Sequence, residues 1–208
     1  SAQNSEVKLR KTLMDLHIAG KKAIICASSK GLGKACALSL SREGVIVYMN
    51  GRNEQTLEDA VKEIHLETGN PVFGVVADIT TKYGRLKLSS ACPDADILVT
   101  NNEGPKPGKF EDWGRDEYIQ AFDANMLGPV LMIRALLPGM KERQFGRIVN
   151  ITSAMVKAPS PHQGLSTAAR TALTAVCKAI SREVVADNVT INNLLPERID
   201  TGRQQQMT

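Results

Sequence analysis

The chain has 208 residues, of which 42% are hydrophobic and 23% charged, and its formal net charge is +4. This composition is typical of a globular protein with a core, and it excludes fibrous, disordered and secreted disulfide-rich classes. No apolar run approaches the roughly 18 residues of a membrane-spanning helix. The basic residues are spread along the chain without interleaved aromatics. We therefore predict no membrane association and no nucleic-acid partner.

Four cysteines, Cys26, Cys36, Cys92 and Cys177, stand apart from one another in the sequence. No C-x-x-C pair occurs and only three histidines are present, so the pattern predicts no metal site. Isolated cysteines in apolar surroundings are typical of buried, reduced thiols. We therefore expect a cytoplasmic protein.

Six short β-branched runs alternate with helical patterns along the chain. The predicted strands are residues 22–27, 45–49, 72–77, 96–100, 147–152 and 189–195. Continuous apolar runs of this length indicate parallel strands that are covered on both faces. Between them, apolar residues recur with helical spacing, as at Leu57, Ala60, Val61 and Ile64. We predict an α/β fold with a doubly wound parallel sheet, the Rossmann fold, in three α/β/α layers.

A glycine-rich turn joins the first predicted strand to a helix over residues 34–42. The turn comprises Ser28, Ser29, Lys30, Gly31, Leu32 and Gly33. A strand-to-helix turn of this kind lets backbone amides approach a phosphate at the helix N-terminus. We therefore predict that these six residues bind a nucleotide cofactor. A tight turn without a ligand is the alternative.

Two further strand ends carry side chains suited to an adenine dinucleotide. Arg52 follows the second strand, where an arginine accommodates a ribose 2′-phosphate and an acidic residue would favour NAD(H). Together with Lys30, Arg52 predicts NADP(H) as the cofactor, although both cations could instead be solvated surface residues. Asp78 and Ile79 end the third strand, where a carboxylate can accept from the adenine amino group or cap a helix.

Five motifs follow one another in the order and at the intervals of one known family. They are the turn 26–33, Asn101-Asn102-Glu103-Gly104, Asn125-Met126-Leu127-Gly128, the run 148–153, and Pro196 with Thr201. Through them the sequence resembles the short-chain dehydrogenase/reductase family, and within it the 3-oxoacyl-[acyl-carrier-protein] reductases of fatty acid metabolism. The resemblance implies that the cofactor contacts Asn101, Asn102, Gly104, Arg170, Pro196 and Thr201.

The resemblance also implies a catalytic tetrad of Asn, Ser, Tyr and Lys, from which this chain departs at two positions. Asn125 and Ser153 match, whereas Ser166 stands in place of the Tyr and Arg170 in place of the Lys. A phenol can be tuned to act as an acid near neutral pH, while an alkyl hydroxyl is a far weaker acid. Arg170 can still donate to ribose hydroxyls, but its guanidinium does not release a proton at neutral pH.

Three other polar residues lie where the family's cofactor or substrate binds. His162 belongs to a proline-rich segment that lines the substrate pocket in relatives, and its ordinary pKa suits acid/base work. It is our candidate substitute proton donor, with a surface histidine as the alternative. Glu103 and Glu197 place carboxylates near the nicotinamide or phosphate region, where they either weaken binding or supply an acid.

Two functional hypotheses follow. In the first, the chain is an NADP(H)-dependent oxidoreductase that acts on a carbonyl/alcohol pair of a small carbonyl or acyl substrate through an altered tetrad. In the second, it is a catalytically impaired nucleotide-binding pseudoenzyme that serves as a sensor or a partner subunit. The residues that could distinguish them are Ser166, Arg170 and His162.

A long central helix is predicted over residues 114–142, with Pro129 inside it and Tyr118 as a packing residue. In relatives this helix and the helix 166–186 pack against a second subunit, so the resemblance implies a homodimer or homotetramer. We expect residues 1–208 to form one Rossmann-type dinucleotide-binding domain. Measured against the family, that domain lacks the substrate-loop helix and the last strand.

Overall fold

Six parallel strands form a single sheet. The structure, a computed structural model, describes residues 15–197 and 199. The strands are β1 (Lys22–Ile25), β2 (Ile46–Gly51), β3 (Val72–Val76), β4 (Ile97–Thr100), β5 (Gly146–Ile151) and β6 (Val189–Leu194), in the spatial order β3-β2-β1-β4-β5-β6. Every neighbouring pair is parallel. The six predicted strands and the doubly wound sheet are confirmed.

Helices cover both faces of this sheet. They are α1 (Gly31–Arg42), α2 (Glu54–Thr68), α3 (Lys82–Ala91), α4 (Arg115–Phe122), α5 (Gly128–Glu142) and α6 (Gly164–Val184). Helices α1 and α2 bury Ala37, Leu57, Ala60 and Ile64 in a core cluster on one face. Helices α3, α5 and α6 bury Leu88, Met132, Ile133, Leu136, Leu173 and Cys177 in a second cluster on the other face. The predicted three-layer arrangement is therefore confirmed.

Local sequence signals account for where several helices begin and end. At the start of α2 the Asn53 side chain accepts from the Thr56 amide, and at the start of α3 Thr81 accepts from the Gly84 amide. Both are N-cap bonds that satisfy an amide without a helical partner. Helix α2 ends at Gly69, which has a φ of 70° that glycine adopts at little cost.

The predicted central helix differs in detail from the observed one. Helix α4 and helix α5 are joined by a π-helical turn, Asp123–Leu127, so the segment is not one regular helix. Pro129 lies in the first turn of α5, and since it has no backbone N–H it interrupts the helical hydrogen-bond ladder. The predicted role of Tyr118 is confirmed, because it packs against the small core cluster of Ala121, Leu165 and Ala169.

The predicted domain boundary falls at the ends of the chain. Residues 1–14, residue 198 and residues 200–208 lie outside the described part, so the single domain lacking its last strand stays a prediction. Within the described part, no helix is both long enough and apolar enough to cross a membrane.

Candidate active site

The turn after β1 leaves the first amides of α1 without a side-chain cap. Its N-cap residue, Lys30, makes no such hydrogen bond, and the first turn of α1 holds no acidic residue. Gly31 takes a φ of 58° in the left-handed region. A Cβ on Gly33 would lie 2.3 Å from the carbonyl oxygen of Ala27, so glycine is needed for the helix to begin this close to the strand. The turn therefore offers backbone donors and a positive dipole end to an anion.

Ser28 does not face this anion-binding turn with its side chain. It is fully buried, its hydroxyl donates to the Ile25 carbonyl, and it accepts from the Asn50 amide at 2.9 Å. Of the predicted turn residues, Ser29 is half-buried against Gly51, Leu32 packs on the α1–α2 side of the core, and Lys30 is exposed. The backbone of the turn, together with Lys30, is thus what remains available to a ligand.

Asn50, which sequence reasoning had not selected, holds three strand ends together. Its side-chain amide donates to the carbonyl of Val75 in β3 at 3.0 Å and to that of Ala77, just after β3, at 2.9 Å. Its side-chain oxygen accepts from the Ala27 amide at 3.3 Å. An asparagine at the end of an otherwise apolar strand is the signal that could have identified it, because a buried amide requires partners.

Arg52 and Glu103 form an ion pair at the carboxyl edge of the sheet. The Nη2 atom of Arg52 lies 2.6 Å from Oε2 of Glu103, and both side chains are largely exposed, at 61% and 70%. Arg52 follows β2 and Glu103 follows β4, and β1 lies between these two strands. The cation predicted to bind a 2′-phosphate thus has an acidic partner from the protein itself.

Asp78 and Ile79 occupy the end of β3 as predicted, but their side chains serve the local structure. Oδ1 of Asp78 accepts from the amide and the hydroxyl of Thr80, at 2.9 and 2.8 Å. Ile79 is 4% exposed and belongs to the core. Thr81, not Asp78, is the N-cap of α3, and the Asp78 carboxylate bonds within the turn that precedes this helix.

The segment after β4 is fastened to its neighbours by two asparagines. The Asn101 side chain donates to the Ala27 carbonyl at 3.2 Å, which ties the segment to the glycine-rich turn. The Asn102 side chain donates to the Ala124 carbonyl at 2.9 Å, in the π-helical turn. Gly104 is half-buried one residue beyond Glu103. These residues line the end of β4 at the switch point of the sheet, where ligands of such folds bind.

Asn125 is held inside the π-helical turn with one polar atom unpaired. Its side-chain amide donates to the carbonyls of Glu103 and Ala121 at 3.4 Å, while its Oδ1 has no hydrogen-bond partner among the described residues. The residue is 2% exposed. It shares a narrow crevice with Arg170, so two of the predicted catalytic residues are brought together.

Ser166 and Arg170 are neighbours one turn apart on α6, and both are only 8% exposed. Arg170 Nη1 donates to the carbonyls of Ile151 and Thr152 at 2.7 and 3.1 Å, and Nη2 donates to the Asn102 carbonyl at 3.3 Å. Nε donates to Ser166 Oγ at 3.2 Å. The guanidinium therefore cross-links α6 to the ends of β5 and β4.

The remaining predicted residues lie in the loops after β5 and β6. Ser153 Oγ accepts from the Met155 amide at 3.2 Å. His162 is exposed, and its carbonyl accepts from the Gly108 amide at 3.0 Å. The Pro196 carbonyl accepts from the Ala154 amide at 2.9 Å, which joins the two loops. Thr201 lies outside the described residues, and the structure shows no bond between His162 and the tetrad positions.

The described site offers hydrogen-bond donors, hydrogen-bond acceptors and positive charge. Burial raises the pKa of the Cys26 thiol to about 12, so this residue next to the turn remains a neutral thiol. Within residues 15–197 and 199, no group of three or more His, Cys, Asp or Glu side chains is placed to hold a metal ion. An anion-binding turn, an adjacent arginine and a buried Asn–Ser–Arg cluster are what the fold assembles.

A doubly wound sheet with these groups at its carboxyl edge defines a class of nucleotide-binding α/β proteins. The sequence profile of the short chain dehydrogenase family matches residues 21–208. The chain therefore belongs to the short-chain dehydrogenase/reductase family. It is 32% identical to YvaG, an uncharacterized oxidoreductase of Bacillus subtilis, over 184 residues. The aligned region covers 88% of this chain and 70% of YvaG.

Solved structures agree with this membership. L-sorbose reductase from Gluconobacter frateurii, in complex with NADPH and L-sorbose, is 27% identical and superposes with a TM-score of 0.88, over 91% of this chain and 74% of that one. A structure provisionally assigned as a betaketoacyl-ACP reductase is 30% identical, with a TM-score of 0.81 over 90% of this chain and 78% of that one.

Proposed function

We propose that this chain is an NADP(H)-dependent oxidoreductase that acts on a carbonyl/alcohol pair, with Ser166 and Arg170 in place of the tyrosine and lysine of its family. The observation that carries the proposal is the uncapped N-terminus of α1 on a glycine-rich turn, with Arg52 at the next strand end. Family membership and the NADPH complex of L-sorbose reductase support the choice of cofactor.

The described residues fit the adenosine half of such a cofactor. The amides at the start of α1 would hold the pyrophosphate, and a Cβ on Gly33 would push the helix away from it. Arg52 would hold the 2′-phosphate and Lys30 would add positive charge. When bound, the reduced nicotinamide supplies a hydride to a carbonyl carbon.

On the nicotinamide side, the chain's own residues can orient but have no strong acid. Ser153 lies at the end of β5, where its hydroxyl can donate to a carbonyl oxygen. His162, four residues before Ser166, is our candidate for supplying a proton through its imidazole. Holding the reactants in contact accelerates a reaction even without a general acid, so we expect slow turnover rather than none.

We place the substrate among carbonyl or acyl compounds, with 3-oxoacyl thioesters as the first class to test. The similarity to the provisional betaketoacyl-ACP reductase supports this choice, and with it a place in fatty acid metabolism. A cytoplasmic location is part of the same proposal.

A second candidate function, a nucleotide-binding pseudoenzyme, is favoured by the contacts of Arg170. Its guanidinium donates to three backbone carbonyls and to Ser166, so it is committed to the protein where the family's lysine serves the reaction. A sensor or partner subunit would keep the anion-binding turn and lose turnover.

One experiment separates the two. NADPH is titrated into the protein, and its oxidation is then followed with a panel of ketones and 3-oxoacyl thioesters. The enzyme binds NADPH and oxidises it with at least one substrate, and His162→Ala lowers that rate at least tenfold if this residue is the donor. His17→Ala, an exposed histidine before β1, is the control and leaves the rate unchanged. Binding without turnover identifies the pseudoenzyme, and no NADPH binding rejects both functions.

We also propose that the chain forms a homodimer or homotetramer. Three hydrophobic residues, Ile119, Leu127 and Val176, are between 37% and 40% exposed on the α4–α5 segment and on α6. Light scattering after size-exclusion chromatography measures the mass, and a monomer at micromolar concentration contradicts the proposal.

A further inference from the structure

The Arg52–Glu103 ion pair connects two loops that belong to strands on either side of β1. Strands of a sheet lie about 4.8 Å apart, so β2 and β4 are separated by roughly 10 Å with β1 between them. The long side chains of Arg52 and Glu103 close this distance to a contact of 2.6 Å. The pair therefore lies across the carboxyl end of β1, where the glycine-rich turn begins.

Other hydrogen bonds hold the two loops that carry Arg52 and Glu103, so the position of the ion pair is determined by the surrounding structure. The Asn101 side chain ties the loop after β4 to the Ala27 carbonyl, and the Asn102 side chain ties it to Ala124. Asn50, two residues before Arg52, ties the end of β2 to β3 and to Ala27. Glu103 thus stays within reach of Arg52.

We propose that Glu103 is a specificity-determining residue that competes with a ribose 2′-phosphate for Arg52. This inference rests on the proposed function, because it assumes that an adenine dinucleotide binds at the turn. A 2′-phosphorylated ligand replaces the carboxylate as the partner of the guanidinium, and guanidinium–phosphate pairs are among the strongest charge-assisted contacts. A ligand with a 2′-hydroxyl offers no charge to replace it and leaves the ion pair closed.

The competition affects the affinity for only one of the two cofactor forms. A 2′-phosphate must first separate Arg52 from Glu103 and then remain near the displaced carboxylate, which repels it. Both effects weaken the binding of NADPH in the natural protein. Removing the charge at position 103 therefore strengthens the binding of 2′-phosphorylated ligands and leaves unphosphorylated ones nearly unchanged.

The test compares Glu103→Gln with the natural protein by calorimetric titration of three ligands. They are NADPH and two probes that lack the nicotinamide, adenosine 2′,5′-bisphosphate and 5′-AMP. Since an exposed ion pair contributes up to a fivefold change in an equilibrium, we expect Glu103→Gln to lower the Kd of the bisphosphate about fivefold at low ionic strength. The Kd of 5′-AMP changes less than twofold. The gain shrinks as sodium chloride is added, because salt screens exposed charges.

Glu67→Gln is the matched control. Glu67 pairs with Arg42 at the far ends of α1 and α2, and both side chains are at least 42% exposed. This variant makes the same change in net charge away from the turn, so we expect each Kd to stay within twofold of the natural value. Far-ultraviolet circular dichroism checks that both variants are folded.

Three results overturn the inference while NADPH binding, and with it the proposed function, stands. They are an unchanged Kd for the bisphosphate in Glu103→Gln, an equal gain for the bisphosphate and 5′-AMP, and weaker binding of 5′-AMP, which would make Glu103 a ligand of the ribose hydroxyls. If neither the natural protein nor Glu103→Gln binds NADPH or the bisphosphate, the proposed function fails as well. Binding that appears only in Glu103→Gln supports the competition directly.

Discussion

If the proposed function holds, restoring the family's acid should raise the proposed reductase activity, and the contacts of Arg170 allow the accompanying loss of stability to be worked out. The perturbation is the double variant Ser166→Tyr/Arg170→Lys. Lysine has one donor nitrogen where arginine has three, so it can reach the adjacent carbonyls of Ile151 and Thr152. It cannot at the same time reach the Asn102 carbonyl, 3.3 Å from the guanidinium, or the side chain at position 166.

Two of these hydrogen bonds are therefore lost. At about 1.5–3 kcal/mol for each bond to a charged group, the double variant should lose about 3–6 kcal/mol of unfolding free energy. Domains of this size are typically stable by about 5–15 kcal/mol, so the variant stays folded when the natural chain has more than this margin, which urea unfolding measures. A phenol beside an ammonium group has a lowered pKa, and a positioned general acid contributes about 10²–10⁴ in rate.

The assay follows NADPH consumption with the ketone and thioester panel, alongside urea unfolding to measure the loss of stability. Ser166→Phe/Arg170→Lys is the matched control, since it adds the same ring without the hydroxyl and should gain no activity. A folded Tyr/Lys variant that binds NADPH but is no faster than the natural chain would refute the view that only the acid is missing. Equal gains in the Phe and Tyr variants would assign the effect to packing.

Three further predictions concern stability. Ala27 has a φ of 45° in the left-handed region, so Ala27→Gly should raise the unfolding free energy in urea by about 0.5–1 kcal/mol. Gly33→Ala places a Cβ 2.3 Å from a backbone oxygen and should lower the unfolding free energy by about 2–3 kcal/mol and weaken NADPH binding. Burial raises the pKa of Cys26 and Cys92 to about 12 and that of Cys177 to about 11, from an ordinary 9.0. Unfolded thiols lose protons above pH 9 that the native thiols keep. The stability from these three groups is therefore present below pH 9 and declines as the pH rises from about 9 to about 12.

Two of these predictions, those for Ala27 and for the thiols, have a control of their own. Ala175 lies on the exposed side of α6, where Ala175→Gly should destabilise by about 1 kcal/mol, opposite in sign to Ala27→Gly. If Ala27→Gly also destabilises, the left-handed conformation costs nothing there. For the thiols, replacing all three with alanine removes their share of the alkaline decline but keeps that of other titrating groups. A decline of equal size in both proteins contradicts the prediction.

The sheet could be predicted from sequence because its strands are continuous apolar runs. All six predicted strands overlap the observed ones, with ends that differ by one or two residues. The glycine-rich turn could also be predicted from sequence, because the close approach of helix and strand requires glycine at position 33. The strands and the turn depend on residues that are close in sequence, or on strand faces that are buried along their whole length. Sequence periodicity is informative for features of both kinds.

Side-chain partners from distant segments could not be predicted in the same way. Ser28 lies in the turn by sequence, yet its hydroxyl bonds inward to Ile25 and Asn50, because the chain reverses there and the direction of each side chain depends on φ and ψ. The π-helical turn at Asp123–Leu127 departs from the regular helical period, so helical spacing alone does not reveal it.

Arg52 and Arg170 show that the partners of a side chain, which the sequence does not reveal, matter for function. Each would face the cofactor, and each has found partners within the protein, but the partners differ in accessibility. Arg170 is 8% exposed and bonds to backbone carbonyls, which a ligand cannot replace without opening the junction between α6 and the sheet. Arg52 bonds to an exposed carboxylate, which a phosphate can displace. In the proposed cofactor complex, the adenosine side of the site would therefore adjust to the ligand, whereas Arg170 on the nicotinamide side is held by the fold. We expect a gain in activity to require substitution at positions 166 and 170, and a change in cofactor preference to require only the loss of the Glu103 charge.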